Sequence, residues 1–467
     1  RLDRGELLSV GFDQVRELHQ DAAAVGGRLV TPGGLSRDGG FDGGVDIRGA
    51  CLLDVGDRLF RRRIDRLEGS ASAGVYERAV DEQPTEADLE ERAEVVGQSV
   101  RDGADGFSTS RLLGHVLPDG RDVPGTHAEH GELVRIAAAV RDAGGGLMQN
   151  VLNLSGDYDG ELALIRKEAE TTGDRVLFSI TAGRSDHSGK RLNADVDAMR
   201  ADGLDVNGVA IPRGSGFVAG LVNILPWRHG AWTDLASQDF AGRLAAVDDP
   251  ATFAQLVTDA RADKGGFSKA PIFWLGDADT PDYVFRQENS LAYLAEEAGE
   301  HPAETFLRLT RDSRGKTLFT MQFFNPNLRA VADLISGEAV LPGLGDAGAH
   351  VGQVMDSGWC SFVLSHWVRE AGLFSAEEAV RRMTSAPARI IGFEDRGRLA
   401  TGMRADVNVI DLARVSERMP EFVNDFPGGA GRFVQRARGY RATVCNGQVM
   451  LENDAHTGVR AGAVLRS

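Results

Sequence analysis

The most chemically suggestive feature of this 467-residue chain is a carboxylate framed by glycines. In LPGLGDAGAHVGQVMDSG, Leu341 to Gly358, Asp346 follows an apolar run and lies among Gly343, Gly345 and Gly348. Glycines let backbone and ligand approach closely. A carboxylate there can ligate a metal, take the proton of an attacking water and return it to a leaving amine. The same DAG equally suits a turn aspartate capping the next helix. His350 reads either as a hydrogen-bond donor to substrate or a partner of the metal's own ligands, or as a packed histidine at a helix start. His115, His127 and His130 share one loop, where His127 and His130 can meet on one helical turn and bind a metal. A solvated helix start is the plainer reading. Ser108, Thr109, Ser110 and Arg111 end one apolar run, and Gln149 and Thr181 follow two others. Arg111, or Arg213 in AIPRGSG, can clamp a substrate carboxylate through two parallel hydrogen bonds, and each also suits a structural ion pair. His366, in the apolar stretch LSHWVRE, reads as core.

Positioning these residues requires elements whose ends converge. Thr85 is placed to cap a helix from Glu86 through Val100, with Asp88 three residues on as the acid of a capping box. Leu89, Ala93, Val96 and Val100 recur at helical spacing. Short apolar runs follow at Gly106-Phe107, Gly146 to Met148, Val176 to Ile180 and Val206 to Ile211. Helix-like stretches lie between them at Ala128 to Ala143, Gly160 to Thr172 and Asn193 to Ala201. Strand, loop and helix at this spacing predict parallel βα units. A long helical region from about Pro250 leads to a last strand, Ala339 to Leu344. In a barrel of such units the chemistry sits at the C-terminal strand ends. Further on, Asp406 to Asp411 reads as a strand pairing with one from Ala442 to Val449, with a turn at Asn446-Gly447. Ala463 to Leu465 reads as another strand, completing a small β-sandwich. The expected organisation is an N-terminal region at 1–70, with weak strands at Gly27 to Val30 and Val45 to Val55, a barrel at 71–391 and the sandwich at 392–467.

Composition narrows the partners. The formal net charge of −17 repels phosphate backbones and anionic lipid, which argues against nucleic acid and membrane surfaces. No apolar run approaches the roughly 20 residues of a membrane span. Cys51, Cys360 and Cys445 are dispersed and odd in number, so the expected compartment is the reducing cytoplasm. The opening RLDRGELLSV is no secretory signal and lacks an initial Met, which suggests a fragment or an unusual gene start.

Three stretches together resemble the N-acyl-D-amino-acid deacylase (D-aminoacylase) branch of the amidohydrolase superfamily. Leu341 to Gly358 resembles its last-strand motif, in which an Asp ends the strand and a His follows four residues later. GFSTSRLLGHVLPDGRDVPGTHAEHGEL, Gly106 to Leu133, is similar to a mid-barrel strand and loop. RGRLATGMRADVNVID, Arg396 to Asp411, is similar to the tail returning to the β-sandwich. The resemblance implies an α/β fold: a TIM-like (β/α) barrel, incomplete at its N-terminal side, with a small C-terminal β-sandwich. It implies hydrolysis of a C–N amide bond in an N-acyl amino acid or similar small amide, in a monomer or homo-oligomer. Asp346 would be general base and metal ligand, His350 catalytic, and Ser108, Ser110, Arg111, Gln149 and Arg213 would face the substrate. Zinc is the implied cofactor.

The chain also departs from that branch. An HxH pair opens the barrel there, and no HxH occurs here. GRLVTPGG, Gly27 to Gly34, is followed by Leu35, Ser36, Arg37 and Asp38. Cys51 has the wrong surroundings for a ligand cysteine, and Gln149 and Thr181 stand where the middle histidines belong. The front of the barrel is either missing or replaced. Two functions therefore compete: a metal-dependent amide hydrolase, and a degenerate barrel that binds a small ligand without turnover. Opening of cyclic amides is a weaker third, because the carboxylated-lysine context is not visible.

Overall fold

A computed structural model describes residues 53–54, 82–113, 120–263, 270–343, 345, 350–463 and 465. Its backbone is a wall of six parallel strands in the order β1 (Leu53–Asp54), β2 (Gly106–Ser110), β3 (Leu147–Val151), β4 (Val176–Ser179), β5 (Val206–Ala210) and β9 (Val340–Pro342). Four helices alternate with the strands: α1 (Glu86–Arg101), α2 (His130–Asp142), α3 (Tyr158–Thr172) and α4 (Ser188–Ala201). Sequential parallel strands joined by helices are what a (β/α) barrel requires. Among the described residues β1 and β9 each have one neighbour, so the sheet is an open portion of a barrel wall.

Local chemistry explains the boundaries. Thr85 accepts from the Asp88 amide at 3.3 Å while the Asp88 carboxylate accepts from the Thr85 amide at 2.9 Å, the reciprocal cap expected at α1. Gly106 opens β2 with φ +154, and a Cβ there would stand 1.9 Å from the Leu147 carbonyl oxygen. Only glycine lets β2 and β3 begin this close together. Met148, Ile165, Val176, Phe178 and Val340 are buried in the main core. Each takes apolar surface out of water, roughly 2 kcal/mol per large side chain.

Between β5 and β9 the chain is more than the long helical region that the sequence suggests from about Pro250. It holds a three-stranded antiparallel sheet of β6 (Ser215–Ala219), β8 (Phe319–Phe324) and β7 (Ile272–Trp274). Five helices accompany it: α5 (Ala231–Ser237), α6 (Phe240–Asp248), α7 (Pro250–Ala262), α8 (Leu291–Ala298) and α9 (Pro302–Asp312). This unit has its own core, in which Trp227, Trp232, Phe306 and Phe319 stack at ring distances of 4.6 to 6.1 Å. Its strands alternate too briefly for a period-two signal to stand out from the helical residues around them. Helix α10 (Leu328–Ile335) then leads into β9.

Beyond β9 come α11 (Trp359–Phe362), continued by a π-helical stretch Val363–Glu370, and then α12 (Ala376–Met383) and α13 (Ser385–Ile391). Arg382 of α12 donates to the carbonyls of Ile335, Gly337 and Val340 at 2.9, 2.7 and 3.1 Å, tying α12 to the start of β9. The tail forms an antiparallel sheet of β10 (Val407–Ile410), β15 (Tyr440–Cys445), β16 (Gln448–Glu452) and β17 (Ala455–His456). Val407 pairs with Val444, as the pattern of Asp406 to Asp411 predicts. The expected strand at 442–449 is a hairpin, turning at Asn446 (φ 49) and Gly447 (φ 78). Positive φ at both central residues is the turn that favours Asn-Gly. Two ribbons accompany it: β11 (Ser416–Glu417) with β14 (Ala437–Arg438), and β12 (Glu421–Val423) with β13 (Arg432–Val434). Where a strand was expected at 463–465, residues 463 and 465 have no strand pairing, and residue 464 lies outside the described residues. Of the weak strands expected in the first 70 residues, Leu53–Asp54 is present beside β2 and the rest lies outside the described residues. No helix among the described residues is long and apolar enough to cross a membrane.

Candidate active site

Alternation along the strands sorts the wall into two faces. Asn150 on β3 bonds to Glu168 on α3, so its side points outward to the helices. The neighbours in register on the other side are Ser108 of β2, Gln149 of β3 and Leu177 of β4, which therefore face the barrel interior. At its base this inner face is closed by Leu147, Leu177 and Leu341 packing on Ala386 and Ile390 of α13. Toward the strand ends it turns polar. The Ser108 hydroxyl donates to the Gln149 carboxamide oxygen. The Ser110 hydroxyl accepts from the Leu112 amide at 3.4 Å, and Thr181, beyond β4, is exposed. Ser108, Ser110 and Gln149 thus share one face of the wall toward its strand ends.

The two arginines are not. Arg111 leaves the end of β2 and donates through Nε to both Glu161 carboxylate oxygens, at 2.9 and 3.1 Å, and through Nη1 to the Ala128 carbonyl. Its fork is occupied by the protein, and the ion-pair alternative is the one realised. Arg213 is 1% exposed. Its guanidinium lies 3.5 Å from the Tyr283 ring centroid, donates to the Met355 carbonyl, and stands 3.7 Å from Asp356 and 3.6 Å from Glu417. Expecting it to meet a substrate carboxylate is corrected by this burial.

The Arg213 cluster is what sequence reading missed. Ser215 donates to both Asp356 oxygens at 2.9 and 2.8 Å, and Gln435 donates to the Tyr283 hydroxyl at 3.2 Å. Asn325, at φ 52, accepts from the Ala182 amide at 2.7 Å and donates to the Ile211 carbonyl at 2.9 Å, fixing the chain beyond β4 and β5. Burial opposes the charge of Arg213, but Glu417, Tyr283 and Asp356 outweigh it and raise its pKa. Burial, with Asp356 adding and Arg213 opposing, pushes the Glu417 carboxyl up to about 7. The only sequence signal was that Asp356 belongs to the same glycine-framed stretch as Asp346.

His350 is not at a helix start. It occupies a turn at φ 47, its carbonyl accepting from the Gln353 and Val354 amides at 2.7 and 2.9 Å. Its ring lies 6.4 Å from that of Phe217 on β6. Asp346 and His115 lie outside the described residues. His127 is exposed and meets Asp122 at 2.8 Å, while His130 is the first residue of α2. His366 stacks on Phe362 at 4.9 Å, as expected of a core residue. Among the described residues no three His, Cys, Asp or Glu side chains are grouped to hold a metal ion.

A parallel wall closed at its base and polar at its strand ends is an open portion of a (β/α) barrel. Residues 336–451 match the amidohydrolase family (Amidohydro_3), a stretch that includes Leu341 to Gly358 and Arg396 to Asp411. The chain is 53% identical over 62 residues to an N-acyl-D-glutamate deacylase of Alcaligenes xylosoxydans xylosoxydans, 13% of each chain. It is 36% identical over 109 residues to a D-aminoacylase of the same organism, covering 23% of this chain and 21% of that one. These alignments span only 13% and 21% of the relatives' length. A solved D-aminoacylase, described for its binuclear metal centre, superposes with TM-score 0.51 at 19% identity, over 83% of this chain and 68% of that one. An N-acyl-D-glutamate deacylase from Bordetella bronchiseptica, solved with zinc and a phosphonate inhibitor, gives 0.48 at 21% identity, over 82% and 67%. The sequence match to the amidohydrolase family is thus confined to residues 336–451, and the fold is similar to that of D-aminoacylase.

Proposed function

We propose that this protein hydrolyses the amide bond of N-acyl amino acids, as a deacylase of the N-acyl-D-amino-acid type. The observation that carries this reading is the local identity to N-acyl-D-glutamate deacylase, together with a family match that includes the glycine-framed Asp346. Asp346 takes a proton from water as its oxygen attacks the acyl carbonyl. It then gives that proton to the nitrogen as the C–N bond breaks, leaving a carboxylic acid and a free amine. His350 donates a hydrogen bond to the substrate, and Ser108, Ser110 and Gln149 line its seat. Arg111 and Arg213 act only by positioning, since Arg111 is paired with Glu161 and Arg213 is buried between Asp356 and Glu417.

Zinc is the cofactor that the resemblance implies, but the side chains at hand do not fit it. Catalytic zinc takes three protein ligands of the His, Cys or carboxylate kind, whereas the inner strand ends offer Ser108, Gln149 and Thr181. We place the protein in the cytoplasm, without nucleic-acid or membrane partners, on its charge and dispersed cysteines. The test is release of free amino acid from N-acetyl-D-glutamate, N-acetyl-D-methionine and their L forms, with and without added zinc. Hydrolysis favouring a D substrate is expected. No release from any of them, with saturable binding of the same amides, would replace the hydrolase reading by the ligand-binding one.

A further inference from the structure

Glu168 on α3 and Asn150 on β3 are both fully buried, at 0% exposure. The Asn150 carboxamide nitrogen donates to Glu168 Oε2 at 2.7 Å. Two atoms of the pair are left over, Glu168 Oε1 and Asn150 Oδ1, and neither has a hydrogen-bond partner. An ionised carboxylate only accepts, and so does a carboxamide oxygen. In the ionised state, then, neither leftover oxygen can satisfy the other. A single proton on Oε1 would supply the donor that both leftover oxygens lack.

We propose that Glu168 is held as a neutral carboxylic acid in a closed two-bond ring with Asn150, forming a pH-sensitive latch between α3 and β3. The charges around it do not rescue the ionised form. Arg111 is the nearest cation to act on it, but its Nε is committed to Glu161, whose own charge favours the proton on Glu168. Strands β3, β4 and β5 bring no ionisable side chain. Helix α2, packed beside α3, carries His130, Glu132, Arg135, Arg141 and Asp142; Glu132 pairs with Arg92, Arg135 with Glu86 and Arg141 with Asp142. Burial raises the Glu168 carboxyl to about 8, against the opposing effects of the Asn150 bond and Arg111. Folding therefore favours the protonated acid. The latch contributes fully below the unfolded carboxyl's pKa, weakens as pH rises, and is lost as pH passes through about 8.

The test compares urea unfolding of the full chain with its Glu168→Gln variant from pH 5 to pH 9. Glutamine places an amide N–H where the acid O–H is proposed to stand, so the ring persists without a titrating proton. The wild-type midpoint should fall with rising pH relative to the variant, the gap opening up to about pH 8 and then levelling. Parallel midpoints across the range would overturn the proposal. Should the variant fail to fold, infrared titration of the Glu417→Gln protein decides the same point. A protonated-carboxyl band present at pH 6 and lost near pH 8 supports the latch, and absence of that band at pH 6 overturns it.

Discussion

Around α3 the buried polar side chains meet their partners within neighbouring βα units: Arg111 reaches Glu161 50 residues on, and Asn150 reaches Glu168 18 residues on. The Arg213 cluster is built differently. Arg213 bonds to Met355 across 142 residues, Ser215 bonds to Asp356 across 141, and Glu417 of the tail closes the group. The first network keeps each helix on its own strand. The second joins the end of β5, the chain beyond the Asp346 motif and the C-terminal ribbons into one body. The helix-side network thus secures the wall, and the Arg213 cluster makes the geometry beyond the strand ends depend on the tail.

The contrast is broken most severely at Arg213. Arg213→Met leaves Asp356 and Glu417 buried without their cation, and should cost about 3–5 kcal/mol in urea unfolding. Arg111→Met strands one buried carboxylate, Glu161, rather than two, and a loss of about 2–3 kcal/mol is expected. If Arg111→Met proves the costlier, the cluster is not the stronger tie. Glu417→Gln sharpens the comparison through pH. Because folding raises the Glu417 pKa to about 7, its stability contribution is full below the unfolded value near 4.5 and lost as pH rises through about 7. Thermal melts of the variant should lack that part of the wild-type decline between those values. The smallest effect belongs to the entry to the wall: Thr85→Ala removes the α1 cap and should lower stability by about 1 kcal/mol, read by the same unfolding curve.

How far the sequence could be read follows the same division. Helix α1 was legible because Thr85, Asp88 and a 3.6-residue apolar repeat are local signals. Strands β2 to β5 were legible as short apolar runs at regular spacing, and the Asn446-Gly447 turn because few other residue pairs accept positive φ twice. The sheet of β6, β7 and β8 was hidden, since its strands pair across as many as a hundred residues and interrupt a helix-rich stretch. Within the site, Ser108 and Gln149 were found by their place after apolar runs. The fates of Arg111 and Arg213 were not, because nothing near an arginine in sequence records which distant carboxylate it will meet. Arg213 and Glu417 become neighbours only once the tail has folded back.

The claim on which the functional account rests is that Asp346 moves the proton during amide cleavage. Its most direct test is the Asp346→Asn variant, assayed for release of D-glutamate from N-acetyl-D-glutamate beside the unaltered chain. A positioned general base contributes about 10²–10⁴-fold. The account predicts a fall in kcat of at least about a hundredfold, with KM and the unfolding midpoint little changed. A variant that hydrolyses the amide as fast as the unaltered chain would contradict it.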